Sequence, residues 1–191
     1  MYANFATIED TVELLRYIAE DVSLRFSQWD DRYVRGPSLY FLVVSDVRID
    51  SFVDPLGDNA WPVATARALP EDFTAAVAAA ADIAFGRDGA VVISADGTFQ
   101  EQMVRVRTIH DYTPRDAAHA EWMSAKHLSA SEISTKEEVL AAVTLSEEDG
   151  RVTVFRDGAY DDYPREKLGG RWRAQDGLTP PDRTRQLGAD R

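Results

Sequence analysis

At 191 residues and 45% hydrophobic content, the chain has the material for one domain with a sizeable core, and global disorder is excluded. It contains no cysteine, which removes disulfides, thiolate metal sites and cysteine nucleophiles; no apolar run approaches the roughly 20 residues needed to span a bilayer. Acidic residues outnumber basic ones 33 to 21, and the net charge of −12 argues against a broad nucleic-acid footprint while leaving room for a local positive pocket.

Lys126, Lys136 and Lys167 are the only lysines, so nearly all the positive charge is arginine. An acid-rich, lysine-poor surface keeps a protein hydrated in concentrated salt, and we read it as a halophilic adaptation. Residues 1–10 lack the basic-then-apolar pattern of a signal peptide, and the expected location is cytoplasmic.

Thr7 followed by Ile8, Val12, Leu15, Ile18, Val22, Phe26 and Trp29 keeps the three-and-four spacing of an amphipathic helix, capped by Thr7 and ending near Trp29 or Asp30. Gly36-Pro37 breaks the chain before residues 39–44, a run apolar on both faces that predicts a central strand. Residues 45–69 read as irregular, with short strands near residues 49–53 and around Val63. Pro70-Glu71-Asp72 opens an alanine-rich helix to about Phe85, with proline suited to the first turn and acids favoured there.

Gly86 ends that helix. Residues 89–94 form a strand, residues 95–98 a hairpin turn, and residues 99–106 its partner strand. A polar segment precedes a helix over residues 117–133. Residues 139–145 form a buried strand, residues 146–150 an acidic turn and residues 152–155 the returning strand. After Tyr163 the composition shifts to Gly, Pro and Arg, which divides a domain of residues 1–163 from a poorly packed tail of residues 164–191. Strands joined partly by hairpins and partly through helices imply an α/β fold bordering on α+β: a single domain with a mixed sheet flanked by helices.

No phosphate-binding P-loop, dinucleotide fingerprint or nucleophile elbow is present, and His110, His119 and His127 lack a metal-binding spacing. What remains is Asp88-Gly89-Ala90 before one inner strand, Lys126-His127 on a helix and Ser146-Glu147 at the end of another inner strand. If both strands run the same way, their ends lie at one sheet edge, where ligands often bind. Asp88 can hold Mg²⁺ or Mn²⁺ and lower the pKa of a neighbouring hydroxyl. Lys126 and His127 can bind phosphate oxygens, Ser146 can donate to one, and Glu147 can support a metal or an adenine amine. Each residue also has a plainer reading: Asp-Gly is common turn chemistry, His127 serves equally as a satisfied core or surface histidine, and Glu147-Glu148 as an acidic turn. A second Arg-Asp-Gly-Ala, residues 156–159, falls at the exit of the last hairpin strand as a turn.

In order and approximate separation the set resembles the diadenylate cyclase (DAC) domain, the nucleotide-binding domain of DNA-integrity scanning proteins and their archaeal relatives. That family carries an Asp-Gly-Ala motif, then Arg-His-Arg or Arg-His-Thr, then a Ser-Glu-Glu-x-Gly turn; here these match Asp88-Gly89-Ala90, Lys126-His127-Leu128 and Ser146-Glu147-Glu148-Asp149-Gly150. The resemblance implies a DAC-like fold, ATP as substrate, and condensation of two ATP into cyclic di-AMP and pyrophosphate by a face-to-face homo-oligomer. It assigns catalysis to Asp88, the metal (Mg²⁺ or Mn²⁺) to Asp88 and Glu147, and nucleotide binding to Gly89, Ala90, Lys126, His127, Ser146 and Glu147. Lys126 replaces the forked arginine of the motif, Leu128 its last polar residue, and Arg87 precedes the Asp where many bacterial members carry His. These departures favour a rival expectation, a DAC-like module that binds ATP or cyclic di-AMP without turnover.

Overall fold

The computed structural model describes residues 5–46, 48–62, 73–107 and 120–169. Its elements, in chain order, are α1 (Phe5–Arg25), β1 (Leu39–Val44), β2 (Val53–Ala60), α2 (Phe73–Gly86), β3 (Val91–Ser94), β4 (Gln102–Val106), α3 (Ala125–Ile133), β5 (Val139–Leu145), β6 (Val152–Arg156) and β7 (Ala159–Tyr163), followed by a 3₁₀ turn at Arg165–Lys167. Five strands form one mixed sheet in the order β3-β1-β5-β6-β7, and β2 pairs with β4 in a separate two-stranded sheet. The result is a single mixed α/β domain. Among the described residues no helix is long and apolar enough to cross a membrane.

β1 is buried along its whole length because both faces of the sheet are covered. On one face Phe41 and Val43 join Val91, Ile93, Ala141 and Val143 against the inner stripes of α1 and α2; on the other, Leu42, Val92, Ala142 and Phe155 pack beneath Ala130 and Ile133 of α3. The alanines at 76, 79, 80 and 84 let α2 approach the sheet closely.

The strand directions decide where the site lies. β1 runs parallel to β3, with Phe41 opposite Val91, and antiparallel to β5, with Leu39 opposite Leu145. β3 and β5 therefore run in opposite senses, not the same one. Because Asp88 precedes its strand and Ser146 follows its own, this opposition is what brings both to one edge.

Several elements differ from expectation for identifiable reasons. α1 begins at Phe5, which puts Thr7 inside the helix, and ends at Arg25. The chain turns there so that the Trp29 indole N–H donates to the Ser23 carbonyl at 3.1 Å, closing the helix end. The hairpin turn at residues 95–98 is present, with the Ser94 N–H donating to the Thr98 carbonyl at 3.0 Å and the Gln100 N–H to the Val92 carbonyl at 2.8 Å, but beyond the bridges Ala90–Val104 and Ile93–Phe99 the returning strand β4 pairs chiefly with β2. α3 starts after Ser124, and residues 117–119 lie outside the described residues. Those around Val63 and at 70–72 do too.

β7 is an additional strand. Asp157 and Gly158, with φ of 49° and 74°, form the tight turn between β6 and β7, so the second Asp-Gly-Ala is hairpin chemistry. Beyond Tyr163 the chain stays packed at first: Leu168 is buried in the core, and the Gly169 N–H donates to Glu20 at 3.1 Å. Residues 170–191 lie outside the described residues.

Gly89 is required by the fold. Its φ is +106°, and a Cβ there would stand 2.6 Å from Leu56 Cδ2 and 2.9 Å from the Val104 carbonyl oxygen. Gly89→Ala should therefore lose about 1–3 kcal/mol of stability, a fall in Tm of about 2–10 °C. Thermal unfolding at fixed salt checks this; a Tm within about 1 °C of wild type would contradict it.

Candidate functional site

At the shared edge the turn before β3, the start of β1 and the first turn of α3 enclose a cleft of about 290 Å³, whose walls include Ser38, Tyr40, Asp88, Gly89, Lys126 and Ser129. Ala90 also lines it, beside Arg87 and Arg105. The fold thus brings the Asp88-Gly89-Ala90 turn and Lys126 together from positions far apart in the chain.

Asp88 is exposed. Its Oδ1 accepts the Gly89 N–H at 2.9 Å and its backbone carbonyl accepts from Asn59 Nδ2 at 2.9 Å. That geometry holds the turn and, among the described residues, leaves the carboxylate's other lone pairs unused. Arg87 is committed elsewhere, donating to the Ala60 carbonyl at the end of β2.

Lys126 is half-buried on the first turn of α3, and its ammonium donates to Ser38 Oγ. Among the described residues it makes no ion pair within bonding distance. Burial pulls its pKa below the ordinary lysine range, and the charges of Glu147, Asp88 and Glu148 oppose that shift. The cation thus sits in a partly dry cleft with carboxylates around it and none in contact.

Glu147 stands near enough to act on that charge. Its carboxylate lies 3.6 Å from the exposed Arg35 guanidinium, and its backbone carbonyl accepts from the Gly36 N–H at 3.2 Å. Gly36 has no room for a side chain, since a Cβ would meet the Trp29 ring and the Glu147 carbonyl.

Three expected ligands are not on the cleft wall: Glu147, which acts on Lys126 only through its charge, and His127 and Ser146, which are buried. His127 is 2% exposed and points into the core under α3, edge-on to Trp122 and against Phe155. Its Nδ1 accepts the Ser124 backbone N–H at 3.2 Å, so it serves as the third residue of a capping box, where Glu or Gln usually stands. That bond places the ring proton on Nε2, which has no partner among the described residues. Ser146 is buried at the end of β5, with its hydroxyl accepting the Glu148 N–H at 3.3 Å within the 146–150 turn. Both residues shape the segments that carry Lys126 and Glu147. Leu128 is not on the cleft wall.

Conversely, Ser38, Tyr40 and Ser129 line the cleft without having been singled out. Ser38 carries a weak sequence signal, a polar residue between Gly36-Pro37 and the head of the most apolar strand.

Among the described residues no group of three or more His, Asp or Glu is placed to hold a metal ion. Mg²⁺ with a nucleotide needs only one or two carboxylates, the phosphates and water supplying the rest. Asp88, exposed with a single hydrogen bond to its carboxylate among the described residues, fits that demand. Chemically the cleft offers a cation for phosphate oxygens beside a carboxylate able to orient or take a proton from a hydroxyl.

Fold and cleft together define a mixed α/β domain with a polar ligand-sized site at the head of its central strand. No protein-family model and no curated protein matches the chain. Among solved structures it is similar to a hypothetical membrane-spanning protein from Bacillus cereus, at 12% identity and a TM-score of 0.51 over 80% of this chain, and it spans only 63% of that protein's length. A double cysteine mutant of DacA from Staphylococcus aureus aligns at 15% identity and a TM-score of 0.45, covering 86% of this chain and 98% of that one. The Bacillus cereus likeness is one of fold.

Burial holds the His127 imidazole neutral, pushing its pKa down to about 4, with the Lys126 charge adding to the effect. The unfolded chain takes up that proton near pH 6.5 and the folded one does not, so this contribution is fully present above pH 6.5 and lost as pH falls toward 4. Denaturant unfolding should show wild type losing roughly 2 kcal/mol more between pH 7 and pH 5 than His127→Gln does. Equal slopes in the two proteins would contradict the buried neutral histidine.

Proposed function

We propose that the chain is a nucleotidyltransferase of the diadenylate cyclase type, joining two ATP molecules into cyclic di-AMP with loss of pyrophosphate. The observation that carries this reading is the convergence of Asp88-Gly89-Ala90 and Lys126 on one cleft, with Glu147 beside it. Two of the three motif segments line that cleft, and the third bears on it only through the charges of Glu147 and Glu148.

In the reaction the 3′-oxygen of one ATP bonds to the α-phosphorus of the other, the bond from that phosphorus to its bridging oxygen breaks, and pyrophosphate leaves. The same exchange in the reverse direction closes the ring. Each chain supplies one ATP site, so two copies face each other. Lys126 neutralises phosphate charge, and Asp88 orients the attacking hydroxyl and receives its proton. Mg²⁺ or Mn²⁺, held by Asp88 with the nucleotide phosphates and with Glu147 in support, would supply hydroxyl activation and charge neutralisation. Positioning and electrostatics supply the rate in such chemistry, and the cleft contains the groups for both.

A second reading, a module that binds ATP or cyclic di-AMP without turnover, is favoured by one observation. The cleft presents a single lysine where the family motif offers a forked guanidinium and an imidazole, because His127 is turned into the core. The acid-rich, lysine-poor composition supports a high-salt cytoplasm as the setting for either activity, so the assay belongs in concentrated KCl.

Incubation with ATP and Mn²⁺ in molar KCl, with products resolved by mass spectrometry, separates the readings. The cyclase reading expects cyclic di-AMP, reduced about 100-fold or more in Asp88→Asn. ATP binding without product supports the second reading. Neither binding nor product overturns both.

A further inference from the structure

Ser38 is the first residue of the chain at the shared sheet edge, and it touches both halves of the cleft. Its backbone N–H donates to the Ala84 carbonyl at 2.8 Å, in the last turn of α2, which leads directly into Arg87-Asp88. Its hydroxyl oxygen accepts from the Lys126 ammonium at the start of α3. One serine therefore joins the segment that carries the carboxylate to the side chain that carries the cation.

The bond matters because a lysine ammonium on a flexible four-carbon stem has no preferred direction of its own. In this cleft it is removed from much of the solvent and has no carboxylate in bonding contact among the described residues. A neutral acceptor fixes its direction and leaves its other two N–H donors for a ligand. A carboxylate in the same place would fix it equally well but would cancel the charge a phosphate needs.

We propose that Ser38 is a positioning residue for anion binding: it aims the Lys126 ammonium into the cleft toward the phosphates of the bound nucleotide. This rests on the nucleotide reading for its ligand. The arrangement of Ser38 and Lys126 is independent of that reading and can be tested without any nucleotide.

Two measurements on the full-length chain separate the possibilities. In the first, ATP affinity is measured by calorimetry in molar KCl for wild type, Ser38→Ala, Lys126→Ala and the double variant. Ser38→Ala is expected to weaken ATP about fivefold to thirtyfold, Ser38→Thr to restore it, and Ser38→Ala to cost nothing further once Lys126 is alanine. Full additivity of the two losses would overturn the positioning role. In the second, the apo chain is acylated with trace acetic anhydride and the three lysines are compared by mass spectrometry. Ser38→Ala should change the rate at Lys126 by about threefold or more, leaving Lys136 and Lys167 unchanged. If wild type binds no ATP but Lys126 reactivity responds to Ser38, the nucleotide reading fails and the aiming contact stands. If Lys126 reactivity is unmoved, the inference itself is overturned.

Discussion

β1 lies between two neighbours of opposite sense, and the rest of the molecule follows from that arrangement. Leu39 opposite Leu145 and Phe41 opposite Val91 bring the start of β1, the start of β3 and the end of β5 to one sheet edge. A strand buried on both faces cannot slip by one residue without turning every side chain toward the wrong layer. The apolar run from Leu39 to Val44 thereby fixes the positions of three polar segments that lie outside it.

The cleft at this edge is a local reversal of the protein's charge. In a chain of net charge −12, Lys126 stands half-buried in a cleft that Arg105 also lines, opposed by Asp88 and Glu147. Desolvation works against the ammonium and the surrounding carboxylates work for it, none of them within ion-pairing distance among the described residues. On the proposed reading, the ligand is a polyanion that brings its own counter-cation, which is how nucleotide phosphates meet carboxylates. The same logic makes the glycines structural. Gly89 yields to the Val104 carbonyl at the cleft wall, and Gly36 lets its segment lie against the Trp29 ring and the Glu147 carbonyl.

Much of this was legible in the sequence where burial alone decides. The strands at residues 39–44 and 139–145 were read to the residue, because continuous apolar runs bounded by polar turns leave few alternatives. β7 was not, since Ala159–Tyr163 is too polar to announce a strand and exists because β6 offers it an edge. β2 was obscured by Pro55 and Gly57, tolerated because its sheet has only two strands. Asp88 and Lys126, which line one cleft, are marked in the sequence by turn chemistry and a scarce residue type. His127 was not separable from a ligand by its letters, since a capping histidine and a phosphate-binding histidine differ only in which way the ring faces. Ser38 was marked only weakly, because its contact is with Lys126, a residue far along the chain.

Whether the Asp88–Lys126 cleft receives nucleotide phosphates is tested most directly by affinity labelling. An adenosine polyphosphate carrying pyridoxal at its phosphate end forms an imine with a lysine it reaches, and borohydride fixes the link for peptide mapping. The label should fall on Lys126 in preference to Lys136 and Lys167, and excess ATP should suppress it. Equal labelling of the three lysines, or labelling indifferent to ATP, would contradict the assignment.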